Sequence, residues 1–413
     1  MTISNSALES LQHAISQDSS SQRTLLQSLS RALLGSNVPE VLTQLDTDQL
    51  KAFSEHALAF LNRRGDTPLL LEVFTPSLEQ HGWDFPYSVV MVALADRPFV
   101  VDSLKAELQR QKVGLVDLIH PILGIERDSD GQIKRLWASD DSTPKTQREA
   151  FEVFFVQLSS KHDQLKTRLT DVLNDVILAT DDYAAMCEQV RVLNYSLRHL
   201  REVSAQGYHR EQAQDLEDYI AFLDWLDDGN FVFLGYREYD IVDVNGASHL
   251  QVHQDSALGI LRKLEGSRYL EPVPLASIPD SLRERITGGE LLLVTKANAE
   301  STVHRPARLD YIGLKKMSDT WQIQGEQRFV GLFTSKALFA QVEDIPLLKR
   351  KLAQVIELDK APVGSHNYKE ITSIFNSMPR EELFWSSVPE LHKSIRAIMG
   401  LLHDEGIALN SAQ

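Results

Sequence analysis

A single cysteine, Cys187, stands in 413 residues, so no disulfide can form within the chain. It lies in a helical pattern with Met186, Val190 and Leu193, the setting of a buried structural thiol rather than a nucleophile. No apolar run approaches the roughly 20 residues that a membrane span needs. The opening Met-Thr-Ile-Ser-Asn-Ser has no basic stretch leading into an apolar one, unlike a secretory signal. Positive charge is also short: Lys+Arg 42 against Asp+Glu 58 gives −16, and the longest basic run is Lys349-Arg-Lys351. Such a chain repels phosphate backbones and anionic bilayers. The expectation is a cytoplasmic protein with neither nucleic acid nor membrane as partner. Gly-x-Gly-x-x-Gly, a phosphate loop ending in Lys-Ser/Thr, and Gly-x-Ser-x-Gly are all missing. So are a cysteine pair and a helical His-x-x-x-His, which leaves no metal spacing. No catalytic residue, cofactor site or metal site is expected in this chain.

What is present is a soluble globular composition, 43% hydrophobic and 24% charged, long enough for two or three domains. The organising stretch runs from Tyr87 to Trp137. Ser88–Ala95 is an almost unbroken apolar run of strand length, as in a strand covered on both faces. Asp96-Arg97-Pro98 stops it, and Pro98 suits the first turn of a helix. In the following helix, to Lys112, Val101, Leu104 and Leu108 share one face. A return strand from Val113 to Ile125, interrupted at His120-Pro121, and a strand from Ile133 complete the module. Leu69–Phe74 and Ala150–Leu158 add strands on either side.

The reading gives five segments: helices over 1–66, an α+β module over 67–160, helices over 161–229, a mostly antiparallel sheet domain over 230–340 and helices over 341–413. Asp46 caps a helix that ends at Arg63-Arg64-Gly65, and Gly207 is a C-cap. Asn245-Gly246 is a turn after the strand Phe231–Tyr239, and irregular Pro-rich segments link later strands.

Three features invite chemistry. Asp96-Arg97-Pro98 places a strand end at a helix start, where backbone N–H groups and the dipole favour an anion such as an amino-acid carboxylate. Asp102 and Ser103, one turn on, can receive an amino group; the alternative is simple capping. Glu300–Pro306 brings His304 and Arg305 into one loop, able to hold a carboxylate or merely to bond local backbone. Gly235, Gly313 and Gly331 sit centrally in three strands, leaving either a ligand hollow or bare backbone covered by Phe233, Tyr311 and Phe333.

Asp96-Arg97-Pro98 with its amphipathic helix resembles the first turn of ACT domains, ferredoxin-like modules that bind amino acids at subunit contacts. The strings Arg97–Leu104, Ile119–Leu123, Asp228–Tyr239, Ser301–Pro306, Asp310–Gly313 and Gly331–Ser335 resemble the amino-terminal region of the large bacterial NAD-specific glutamate dehydrogenases. The resemblance implies a non-catalytic regulatory and oligomerisation segment with an ACT-like module at 84–160 and a PAS-like sheet domain at 230–340. NAD and glutamate oxidation would belong to a catalytic domain downstream. The implied partners are that domain, like subunits in a homo-oligomer and an amino-acid effector. Asp96, Arg97, Asp102, Ser103, His304 and Arg305 would be its effector contacts. Amino-acid-binding ACT turns usually carry glycine after Asp-Arg-Pro. Phe99 stands there instead, which obstructs close approach of a ligand and favours assembly. A free-standing sensor or scaffold acting on a partner protein is the alternative.

Overall fold

The computed structural model describes residues 2–17, 22–35, 40–138, 147–205, 210–263, 271–288 and 291–403. The chain divides into two compact units, Met1–Ile177 with Thr302–Pro306, and Leu178–Ser301 with Ala307–Gln413. All strand pairing among the described residues is antiparallel, and helices flank both sheets.

The first unit opens with α1 (Thr2–Ser16), α2 (Arg23–Leu34) and α3 (Thr47–Arg64). Asp46 caps α3 through a reciprocal pair: its carboxylate accepts from Gln49 N at 2.8 Å, and Gln49 Oε1 accepts from Asp46 N at 3.3 Å. There follow β1 (Leu69–Phe74), α4 (Leu78–His81), β2 (Ser88–Ala95), α5 (Val100–Arg110), β3 (Leu115–Ile119), β4 (Ile122–Arg127), β5 (Ile133–Ala138), β6 (Gln147–Val156) and α6 (His162–Asp181). The sheet order is β1-β2-β6-β4-β5, with β3 also on β6. β2 and the β3–β4 line both run antiparallel to β6 on opposite sides, so α5 crosses over between strands that are parallel to each other. His120-Pro121 splits the return strand in two. Pairing carries across the break because Phe151 N donates to Pro121 O at 3.1 Å.

β2 is buried along its length because both faces are covered. Val89, Met91 and Ala93 join Phe151, Val153 and Phe155 of β6 in one core with α1–α3. Phe53, Trp83, Phe85 and Phe155 pack edge-on or tilted there, with centroids 5.2–6.4 Å apart.

The second unit holds α7 (Tyr183–Ala205), α8 (Arg210–Trp225), β7 (Phe231–Val244), β8 (Ala247–Gly259), β9 (Val273–Pro274), α9 (Asp280–Thr287), β10 (Leu292–Glu300), β11 (Arg308–Met317) and β12 (Ile323–Phe333). After them come α10 (Ser335–Phe339), α11 (Pro346–Asp359), α12 (His366–Ser377), α13 (Arg380–Trp385) and α14 (Val388–His403). Its sheet order is β10-β11-β12-β7-β8-β9. β8 replaces the irregular segment expected after Asn245-Gly246. The two turn residues have φ 54° and 81°, which matches a tight hairpin and pairs Val244 with Ala247. Gly207 lies outside the described residues. Cys187 is buried, and burial pushes its thiol above the ordinary value, as befits a structural cysteine.

The strand glycines are covered rather than hollow. A Cβ on Gly313 would meet the Tyr311 ring and Glu326, and one on Gly235 would meet Leu261, Val330 and Ile260. On Gly331 it would stand 2.1 Å from Val232 O and 2.5 Å from the Phe231 ring. Gly331→Ala is expected to cost about 1–3 kcal/mol through this overpacking, read as a lower unfolding midpoint in urea. An unchanged midpoint would mean that both the ring and the Val232 carbonyl move aside freely.

Candidate effector site

β2 ends where Asp96 N donates to Arg148 O at 2.9 Å, and the Asp96 carboxylate accepts from Arg148 Nε at 3.0 Å. Arg97 turns back on itself, its guanidinium donating to Ala95 O at 3.3 Å and Ile177 O at 3.4 Å. Phe99 then adopts φ 73°, a left-handed conformation that costs a non-glycine residue about 1–2 kcal/mol. The backbone thus takes the shape a glycine would take while carrying a phenyl ring. Among the described contacts no side chain caps α5. Instead Ser103 Oγ donates to Phe99 O at 2.6 Å.

Segment 302–306 belongs to this same unit and meets the turn. His304 N donates to Ser103 Oγ at 2.9 Å, so that hydroxyl both gives and accepts. The His304 imidazole lies 4.9 Å from the Phe99 ring, centroid to centroid, and its Nδ1 is 3.6 Å from Asp102 Oδ2. His304 is itself left-handed at φ 71°. Thr302 Oγ1 donates to Asp175 Oδ2 at 2.9 Å, and Val303 is fully buried, so the segment is anchored just before His304.

Of the six residues singled out from sequence, Asp102, Ser103 and His304 come together around Phe99. Asp96 and Arg97 stand at the same turn with their charged ends directed to Arg148 and to backbone carbonyls. Arg305 sits half-buried in the anchored segment. The hydroxyl offered to a ligand amino group is engaged by the chain's own backbone.

Among the described residues the second unit holds one metal-like trio, Glu238, Asp240 and His253. Lys316 Nζ donates to Glu238 Oε2 at 2.8 Å and to Asp240 Oδ1 at 2.7 Å, placing an ammonium where a cation would sit. Tyr236 completes the cluster by donating to Glu238 Oε1 at 2.7 Å.

Comparison with known proteins adds what geometry alone does not. The family model "Glutamate dehydrogenase, ACT1 domain" matches residues 29–172, and "Glutamate dehydrogenase, helical motif 1" matches residues 345–403. The NAD-specific glutamate dehydrogenase of Halomonas elongata is 28% identical over 334 residues, 80% of this chain and 20% of that one. Its namesake from Pseudomonas aeruginosa is 28% identical over 362 residues, 87% of this chain and 22% of its own. The Mycobacterium tuberculosis protein of the same name is 27% identical over 308 residues, 73% and 17% respectively. Over most of its length the chain is similar to the amino-terminal region of the NAD-specific glutamate dehydrogenases. It spans about a fifth of the length of these glutamate dehydrogenases.

Within the region matched to the glutamate dehydrogenase ACT1 domain, two buried groups escaped the sequence reading. Glu152 of β6 is 4% exposed, and its Oε2 has no hydrogen-bond partner among the described residues. Burial pushes its pKa up to about 8; Asp96 raises it further and Lys105 opposes. It faces away from Phe151 and Val153, so strand alternation marks it as an acid on a covered face. Glu149, 1% exposed, is gripped by Arg64 and Arg127. No local signal announces that trio, since α3, β4 and β6 each supply one member.

Proposed function

We propose that this chain is a non-catalytic regulatory and assembly segment of an NAD-dependent glutamate dehydrogenase. In this reading NAD and the conversion of L-glutamate and water to 2-oxoglutarate and ammonia belong to another part of the enzyme. The antiparallel pairing of both sheets carries the reading, because dinucleotide folds are built on a mostly parallel sheet. The ACT1 match over residues 29–172 supports a regulatory module in the first unit. The six-stranded sheet of the second unit, with helices packed on it, suits a PAS-like module.

The engaged Ser103 and Asp96 favour assembly over amino-acid capture at the α5 turn. ACT modules of this kind work at subunit contacts, so the partner is a second copy of the chain in a cytoplasmic homo-oligomer. Light scattering after size-exclusion chromatography tests this: a dimer or larger species is expected at micromolar concentration, and a monomer throughout would overturn the assembly role. A free-standing small-molecule sensor or scaffold acting on a partner protein is the second reading, favoured if the monomer result is obtained.

A further inference from the structure

A cleft of about 610 Å³ opens in the second unit between the sheet and its helical cover. That volume falls inside the roughly 300–1,000 Å³ of small-molecule sites. Leu292 and Val294 of β10 form part of the sheet wall. On the helical wall, Leu347, Arg350, Lys351 and Gln354 recur at the i, i+3, i+4, i+7 spacing of one face of α11. Tyr219, Trp321 and Phe384 bring three aromatic rings to the lining.

Three fastenings hold these walls in place. Arg350 straps α11 to α8: its Nη1 donates to Asp218 Oδ2 at 2.7 Å and its Nη2 donates to Asp215. Lys351 Nζ donates to Leu383 O at 3.1 Å, Phe384 O at 2.6 Å and Ser386 O at 2.9 Å, which fixes the junction of α13 and α14. Trp321 Nε1 donates to Ser204 Oγ at 2.9 Å, tying the β11–β12 turn to α7. Trp321 is also left-handed at φ 59°, a conformation that a bulky residue holds only against a strain cost. A cleft fastened on three sides is preformed, so a ligand need not pay to open it.

The same fastenings decide the ligand's charge. The Arg350 guanidinium is turned to two carboxylates, one of them Asp215, the acid of the lining. The three N–H bonds of Lys351 go to three carbonyls, and Lys315 donates to Gly288 O. A charged ligand would have to break one of these bonds to make its own, or be buried without a counter-charge. Trp321 spends its N–H on Ser204, so toward the cleft it contributes apolar surface.

We infer that this cleft binds an uncharged aromatic molecule carrying one hydrogen-bonding group. The ring lies against Tyr219, Trp321 and Phe384, and the polar group meets the Gln354 amide. The inference does not rest on the assembly reading, which sizing tests separately.

Calorimetric titration of the whole chain with 2-naphthol, 2-naphthoate and 2-naphthylmethylamine tests it, since one ring system then carries a neutral, a negative or a positive head. 2-Naphthol is expected to bind at submillimolar concentration, with each charged analogue weaker on the order of tenfold or more. Gln354→Trp fills the cleft from α11 and should abolish binding. If that variant fails to fold, Val388→Trp fills it from the start of α14, with the same loss expected. Phe339→Ala removes an apolar side chain that is 84% exposed and stands outside the lining, and it should bind 2-naphthol like the parent. Absence of heat with millimolar 2-naphthol overturns the site, as does undiminished binding by a folded cleft-filling variant. Equal affinity for either charged analogue overturns the ligand class. Binding lost in Phe339→Ala but kept in Gln354→Trp moves it to the surface and overturns it equally.

Discussion

Glu149→Ala is expected to destabilise the first unit by about 3–5 kcal/mol, among the largest single-residue effects in the chain. Glu149 Oε1 lies 2.8 Å from Arg64 Nη1 and accepts from Arg127 Nε at 3.0 Å, while Oε2 accepts from Arg127 Nη2 at 2.9 Å. The two arginine side chains are 7% and 6% exposed. Burial already pulls the Arg64 guanidinium below its ordinary value, with Glu149 holding it up and Arg127 pressing it down. Removing the carboxylate leaves two like charges buried together. Arg127 would keep only its carbonyl partners, Gly131 O at 2.9 Å and Leu61 O at 3.1 Å. Hydrogen exchange at β4 and β6 amides reads this locally, without assuming that both units unfold together. Replacing all three residues by apolar ones of like size should recover most of the loss, since the charges and not the shape cause it. If Glu149→Ala exchanges like the parent, the triad does not hold the module.

Glu152→Gln should act in the opposite direction and only at higher pH. The folded pKa of about 8 stands above the ordinary 4.5, so the native state keeps a proton that the unfolded chain releases. Glutamate therefore lowers stability as pH rises from about 4.5 to about 8, by roughly 1.4 kcal/mol per unit. Below that window the two forms should be alike. Above it the glutamine variant should be more stable by several kcal/mol, and exchange protection of β2 and β6 measured at pH 5 and pH 8 decides it. Equal slopes for the two proteins would show that Glu152 titrates normally. A buried acid that weakens the fold is the kind of group kept for a reason other than stability.

Much of this architecture was legible because the signals were local. β1 and β2 announce themselves as apolar runs of strand length, and the break at His120-Pro121 falls where proline removes a donor. The cap at Asp46 and the turn at Asn245-Gly246 also follow from short-range chemistry. β8 did not, although Leu250 and Val252 alternate with His249, Gln251 and His253, because its polar face dilutes the apolar pattern. The glycines Gly313 and Gly331 left two outcomes open, and only the positions of the Tyr311 and Phe231 rings chose between them.

The candidate site was half legible. Asp96 to Ser103 could be named from one strand-to-helix turn, and His304 from one loop. That His304 would donate its backbone N–H to Ser103, 201 residues earlier, is a tertiary fact with no local trace. The same holds for Arg64, Arg127 and Glu149, whose meeting depends on strand order. Phe99 is the instructive case. Its side chain suggested an obstructed turn, and the backbone nonetheless keeps φ 73° and uses the ring as a seat for the imidazole.

The central claim is that these two units control or assemble an enzyme whose reaction takes place elsewhere. NADH formation by the purified 413-residue chain, supplied with L-glutamate and NAD, tests it most directly. No absorbance change above the enzyme-free rate is predicted. Sustained, enzyme-proportional NADH production by this chain alone would contradict the account.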